Sequence, residues 1–200
     1  MLKCGIDIGG TNIKFGFFDG EKKVNSVVIK TPKVKEKVIP SIVCEIKKKY
    51  KPSDILGYTV AIPGVVLNDV VVFAPNTDIF GLNFKEELGL LLENDNIIVE
   101  NDANLQAMAE AKATGLDDLI LISIGTGLGG GIIIDGKLLN KNGFAGEIGH
   151  IKVHFGANSR MCGCGKLGCS EAYVSCKAIV KDYNDINHTN VNSKELFDLA

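Results

Sequence analysis

Ile122-Ser123-Ile124-Gly125-Thr126-Gly127-Leu128-Gly129-Gly130-Gly131-Ile132-Ile133-Ile134-Asp135-Gly136 carries, at Gly125, Gly127 and Gly130, the spacing G-x-G-x-x-G. A dinucleotide-binding fold needs a strand before that motif and a helix after it, because the helix N-terminus holds the pyrophosphate. Here the motif is followed by a β-branched run and an Asp-Gly turn, which predicts a second strand and a hairpin. The glycine turn Gly125-Thr126-Gly127 therefore reads as a phosphate cradle of the strand–turn–strand kind, not the fingerprint of a nicotinamide enzyme. An echo lies upstream. Ile6 to Gly20 superposes without a gap on Ile122 to Gly136, with Ile6/Ile122, Ile8/Ile124, Gly9/Gly125, Asp19/Asp135 and Gly20/Gly136 identical. Two similar lobes, each offering one glycine turn, are the architecture this predicts.

The upstream turn, Asp7-Ile8-Gly9-Gly10-Thr11, sits between predicted strands 2–8 and 12–18. Its amides can form an anion nest, with the Thr11 hydroxyl beside them and the Asp7 carboxylate placed to hold a hydrated cation. Further strands are expected at 23–29, 55–62, 70–74 and 97–100. Helices are expected near 39–50, 83–93, 103–114 and 171–183, and another begins at 193. Asn101 or Asp102 opens the helix at Ala103. Lys47-Lys48-Lys49 reads as the dipole-favoured end of the first helix. The boundary between lobes is placed at Gly115–Asp118, giving 1–115 and 116–200.

Composition narrows the class. The 200 residues are 46% hydrophobic and 23% charged, which excludes disorder. Lys+Arg 22 against Asp+Glu 24 leaves −2, and Arg160 is the one arginine. Such a chain lacks the basic footprint of a nucleic-acid binder. No apolar run is long enough to span a bilayer, and Met1–Ile6 lacks the apolar stretch of a signal peptide. A cytoplasmic location with reduced cysteines is the expectation.

Cys162-x-Cys164-x4-Cys169, with His150 upstream, supplies three thiolates and an imidazole, the donor set of a closed tetrahedral zinc site. Four protein donors leave no position open for substrate, so such a zinc is structural. Buried free thiols are the alternative. Cys4, Cys44 and Cys176 are expected in the core, and His154 and His188 in loops or on the surface.

Taken together, these motifs resemble the ROK family (repressors, open reading frames and sugar kinases) of the actin-like ATPase superfamily, over the whole chain. Asp7–Thr11 resembles its first phosphate motif, Ile124–Gly131 its second, Glu100–Asn104 its catalytic segment, Glu147–His150 its sugar motif and Cys162–Glu171 its zinc signature. The resemblance implies a two-lobed α/β, actin-like (ribonuclease H-like) fold. It also implies ATP with Mg²⁺ between the lobes, one structural Zn²⁺, and hexose phosphorylation, glucose to glucose 6-phosphate foremost. Fructose or N-acetylmannosamine are other acceptors, and a non-catalytic sugar-responsive regulator is the rival class. By this resemblance Asp102 is the general base, and Asn101, Glu147, His150, Glu171, Asn76 and Gly64 line the sugar. Asp7, Gly9, Gly10, Thr11, Gly125, Thr126 and Gly127 hold phosphate, and His150, Cys162, Cys164 and Cys169 hold zinc.

A homodimer or higher oligomer is expected. Plainer roles stand beside these: Asp102 as a helix cap, Glu171 as a first-turn carboxylate, Asn76 as a turn residue. The family's late glycine motif for adenosine and its final helix are not in the 200 residues. The second lobe is therefore expected to be incomplete, with Ile132 and Ile134 poorly covered and the polypeptide continuing past Ala200.

Overall fold

The computed structural model describes residues 1–74, 77–140 and 143–199. The chain divides into two compact units, Met1–Leu105 and Gln106–Ala200. The division falls inside a helix, before the Gly115–Asp118 segment.

In the first unit, β1 (Leu2–Ile8), β2 (Asn12–Asp19), β3 (Lys22–Lys30), β4 (Ile55–Ile62) and β7 (Ile97–Asn101) form one sheet in the order β3-β2-β1-β4-β7. β1 runs antiparallel to β2 and parallel to β4, and β4 runs parallel to β7. Alternation along each strand builds one apolar face. Cys4 lies opposite Phe17 and Tyr58, and Ile6 opposite Phe15 and Val60. Tyr58 and Val60 in turn face Ile97 and Val99. All of these are buried, and they form one core with Ile39, Ile42 and Ile46 of α1 (Val38–Lys49) and Phe84, Leu88 and Leu92 of α2 (Phe84–Leu92). Each such large side chain contributes about 1.5–3 kcal/mol by leaving water. The same period of two puts Asp7 on the opposite face of the sheet, beside Lys14 on β2 and Ala61 on β4, with Glu100 one strand further on β7. The chemistry-bearing residues occupy the face the core leaves free.

Pro40 sits in the first turn of α1 and the lysines in its last. Asn83 caps α2 through the Glu86 amide at 3.1 Å. A short hairpin, β5 (Val65–Leu67) and β6 (Val70–Phe73), follows β4. Only its second strand was legible, because β5 is three residues long. The β2–β3 loop is Gly20-Glu21, and a bulge at Phe17/Phe18 shifts the register of the two strands beside it.

The second unit is built differently. β8 (Leu119–Ile124), β9 (Leu128–Ile134) and β10 (Lys137–Leu138) form a three-stranded antiparallel sheet. β9 starts at Leu128, within the glycine motif and ahead of the β-branched run Ile132–Ile134, because Gly129 and Gly130 pair with Ser123 and Ile122 in the ladder. Ile120, Ile122, Ile124 and Ile134 are exposed, whereas Ile132 is half-buried. Among the described residues the buried apolar ones here are Ala107, Ile133, Cys162, Cys169 and Ala178. Close backbone packing substitutes for a large core. A Cβ on Gly149 would collide with the Leu128 carbonyl, so the turn Ile148–His150 can lie directly on β9.

The helix expected over 171–183 is two helices, α4 (Glu171–Val174) and α5 (Cys176–Asn187). Ser175 is extended and caps α5 through the Ala178 amide at 3.3 Å, and the Cys176 amide donates to the Gly125 carbonyl at 2.9 Å. The break lets α5 start against the glycine turn. α3 (Asp102–Thr114) joins the units, and α6 (Ser193–Asp198) opens with a capping box of Asn192 and Glu195. Cys44 is exposed and Cys176 half-buried, which corrects their expected core placement; Cys44 projects from the α1 face opposite Ile39, Ile42 and Ile46. Cys4 is buried, and burial pushes its thiol up to about 12.

Candidate functional site

The first glycine turn is braced from within its own sheet. The Gly9 amide donates to Asn12 O at 2.9 Å, the Thr31 hydroxyl donates to Gly9 O at 2.5 Å, and the Thr31 amide donates to Thr11 O at 3.1 Å. Thr11 and Gly10 are exposed at the tip. Asp7 forms an ion pair with Lys14 at 3.2 Å. Lys14 carries a cation to the edge of this turn, a residue the motif reading passed over.

At the start of α3 the roles separate. Asn101 is the cap: its Oδ1 accepts from the Asn104 amide at 3.0 Å, and its Nδ2 donates to the Gly64 carbonyl at 2.9 Å. Glu100 Oε1 accepts from the Asn101 amide at 2.8 Å and from Asn104 Nδ2 at 3.1 Å. Asp102 is left with its neighbour's amide, Ala103, at 2.9 Å. Its carboxyl is pushed above the ordinary carboxylate value, first by desolvation and then by the Asp7 charge; the Ala103 amide opposes both. Asp102 nevertheless keeps a solvent-exposed surface. Capping falls to Asn101, which leaves the Asp102 carboxylate without that role. Asn76 lies outside the described residues.

In the second unit the turn Gly125–Gly127 closes with Gly125 N–H on Gly127 O at 2.9 Å. Thr126 is exposed at its tip. Glu147 and His150 flank a short helical turn, with His150 Nε2 at 3.9 Å from Glu147 Oε2. The other imidazole nitrogen, Nδ1, is 3.7 Å from Cys162 Sγ, and Cys164 Sγ is 3.7 Å from Cys169 Sγ. The four donor atoms of His150, Cys162, Cys164 and Cys169 all lie within 4.8 Å of one another. A tetrahedral zinc with bonds of about 2.3 Å to sulfur has donor–donor edges near ~3.8 Å. The quartet fits that ion in chemistry and comes near it in spacing, its longest edge of up to 4.8 Å exceeding the ideal by about 1 Å. Burial opposes the Cys164 thiolate. The Lys166 amide, the hydrogen bonds with Cys162 and Cys169 and the Lys166 charge outweigh it and bring that thiol below its usual pKa. Burial pushes Cys162 and Cys169 the other way. The carboxylate beside the imidazole is the usual outer partner of a ligating histidine.

Glu171 does not point freely into solvent. Its Oε2 accepts from the Leu128 amide at 3.0 Å, and its Oε1 is 3.5 Å from Cys162 Sγ. Arg160 braces the cysteine loop: its guanidinium takes Asp182 with both Nη atoms at 3.0 and 2.8 Å and lies 4.9 Å over the Tyr173 ring. His154 stacks on Tyr173 at 5.6 Å. Among the described residues no helix is long and apolar enough to cross a membrane.

This chain shares the mixed α/β fold of solved ROK glucokinases, the actin-like ATPase fold. The chain belongs to the ROK family, whose model matches residues 3–200. It is similar to a solved ROK family glucokinase from Streptomyces griseus in complex with glucose and AMPPNP. That likeness has a TM-score of 0.81 and 36% identity, and it covers 94% of this chain and 62% of the other. Among curated proteins, a glucokinase of Streptomyces coelicolor is 36% identical over 187 residues, 90% of this chain and 58% of the relative. An N-acetyl-D-glucosamine kinase of Citrobacter koseri is 30% identical over 98% of this chain and 70% of its own length. A xylose repressor of Bacillus subtilis is 36% identical over 65% of this chain and 34% of its own length. The chain thus spans under two thirds of the glucokinase it matches.

Proposed function

We propose that this chain belongs to an ATP-dependent hexose kinase, with glucose as the leading acceptor and glucose 6-phosphate the product. Asp102 carries the reading: a carboxylate at a helix start, relieved of capping by Asn101 and raised in pKa by desolvation and Asp7. A base poised above the usual carboxylate range accepts a hydroxyl proton more readily. The resemblance to kinases that act on glucose or N-acetylglucosamine supports it.

In this reading Asp102 takes the proton of the sugar hydroxyl as its oxygen bonds to the terminal phosphorus of ATP. The bond from that phosphorus to the bridging oxygen breaks and ADP leaves. Phosphoryl transfer is mostly positioning and charge neutralisation. In each unit the glycine turn offers phosphate oxygens its remaining donors, the Gly10 amide and Thr11 hydroxyl in the first and the Gly127 amide and Thr126 hydroxyl in the second, while the amides of Gly9 and Gly125 close the turns. Lys14 adds positive charge beside the first turn. Mg²⁺, when bound with ATP, supplies charge neutralisation, and Asp7 is the carboxylate set to hold its water shell. On the second unit Glu147, His150 and Glu171 are the groups suited to orient sugar hydroxyls, and on the first unit Asn101, held by the Gly64 carbonyl, offers an amide for the same purpose. A zinc held by His150, Cys162, Cys164 and Cys169 supplies rigidity to the loop that carries these groups. Fructose, N-acetylmannosamine and N-acetylglucosamine are the competing acceptors.

A hexose panel assayed for ATP-dependent phosphorylation tests the reading, with glucose expected to give the highest kcat/KM. Asp102→Asn should lower kcat by about 10²-fold or more while hexose affinity stays nearly unchanged. Hexose binding without turnover would identify a sugar sensor and overturn the kinase. Near-normal turnover in Asp102→Asn would remove Asp102 as the base.

A further inference from the structure

Glu171 has two carboxylate oxygens, and they face different parts of the second unit. Oε1 lies by Cys162 in the Cys/His quartet, whereas Oε2 accepts from the amide of Leu128, the first residue of β9 beyond the glycine turn. Orienting a sugar does not require that second bond. The turn itself is shaped to receive it: a Cβ at Gly127 would stand 2.5 Å from Glu171 Oε2. Five residues on, the Cys176 amide donates to the carbonyl of Gly125 at 2.9 Å. The segment 171–176 thus grips the turn at both ends, with an acceptor at Leu128 and a donor at Gly125. The interruption of the helix at Ser175, extended at ψ 155, makes both bonds reachable. A continuous helix over 171–183 would spend the Cys176 amide on an internal carbonyl.

We propose that Glu171 is a positioning residue for the glycine turn Gly125–Gly127, acting through the Leu128 amide, and that Gly127 lacks a side chain to admit its carboxylate. A hydrogen bond from a backbone amide to an ionised carboxylate is about twice as strong as a neutral one. It fixes where β9 begins and hence the direction of the amides just before it. If the kinase reading holds, on which only this consequence rests, Glu171 couples hexose contact to phosphate contact. Loss of its carboxylate then raises the KM for ATP as well as that for sugar.

Native-state hydrogen exchange at single amides tests the proposal without turnover. In Glu171→Ala the Leu128 amide should exchange roughly tenfold or more faster, while the Gly9 amide in the first turn stays unchanged. Glu171→Gln retains a carbonyl acceptor and should fall between Glu171→Ala and the parent. It also carries the test if the alanine variant does not fold. Gly127→Ala should speed Leu128 exchange by displacing the carboxylate, and combining it with Glu171→Ala should add little. In the kinase assay, Glu171→Ala should raise the KM for ATP several-fold, and Glu171→Gln should restore part of the loss. Unchanged Leu128 exchange in Glu171→Ala, or fully additive effects of the two substitutions, would overturn the proposal. Altered exchange with no hexose phosphorylated leaves the positioning role standing and removes the kinase. Weakened hexose binding with unaltered exchange does the reverse.

Discussion

The two glycine turns occupy the same place in a strand–turn–strand unit, yet they are held in opposite ways. Gly9–Thr11 is secured by the sheet it belongs to, through Asn12 and Thr31, and that sheet rests on a large isoleucine-rich core. Gly125–Gly127 belongs to a three-stranded sheet whose β8 isoleucines are exposed, and it is secured from far along the chain by Glu171 and Cys176. Where buried apolar surface already fixes a sheet, a turn needs only local hydrogen bonds. Where it does not, polar links and a candidate metal cluster carry the geometry, as in small domains short of core.

Breaking the cluster should separate the turns most widely. Cys164→Ser should take zinc from about one per chain to near none by elemental analysis. Loss of a structural metal belongs to the severe class of substitutions, so the Tm should fall by about 10 °C or more. Exchange protection should vanish over 147–171 and at the second turn while the first keeps its own. A variant that retains full zinc sinks the metal assignment.

The reciprocal perturbation is smaller. Thr31→Val removes the hydroxyl bond to Gly9 and leaves that carbonyl short of a partner. A cost of about 1 kcal/mol, or about 2–4 °C in Tm, is expected, with faster exchange at Gly9 alone. Loosening of the second turn in this variant would erase the distinction. Arg160→Lys sharpens the comparison within the second unit, because lysine cannot reproduce the two-pronged grip on Asp182. Both partners are more than a third exposed, so screening limits the loss to below about 1 kcal/mol, read as a Tm decrease of a few degrees at most. A drop as large as that of Cys164→Ser would rank the ion pair with the metal.

The smallest effect concerns the first unit. In the proposed mechanism Asp102 must be ionised to accept a proton, so activity should fall as pH drops through its pKa, which lies above the ordinary carboxylate value. Removing a neighbouring negative charge favours ionisation, so Asp7→Asn should move that acid limb to lower pH, by less than about one unit. The kcat/KM–pH profile checks this, and a limb that moves upward contradicts the like-charge coupling.

Much of the first unit was legible because its signals are local. β1 and β4 coincide with 2–8 and 55–62, since alternation of Cys4, Ile6 and Ile8 specifies a half-buried strand without reference to anything distant. The strand–turn–strand reading of Gly125–Gly127 held for the same reason, as did the gathering of His150 with three cysteines. The start of β9 was misjudged because glycine has no side chain to signal a strand, and Gly129 and Gly130 pair only because β8 lies opposite. The division between Asn101 and Asp102 was also open, since either side chain can cap a helix.

Sequence by itself determined which chemical groups this protein has and in what local frame: two glycine turns after apolar strands, a carboxylate at a helix start, and four candidate metal donors in one loop region. These follow from periodicity, turn chemistry and spacing, all of which act over a few residues. Tertiary structure alone decided which group does what. The Gly64 carbonyl, distant in sequence, helps hold Asn101 in the cap and leaves Asp102 without a capping role, and the break at Ser175 brings Glu171 and Cys176 onto the second turn. Such assignments depend on hydrogen-bond partners tens of residues apart. Their meeting is set by how the backbone packs, which no short stretch of sequence records.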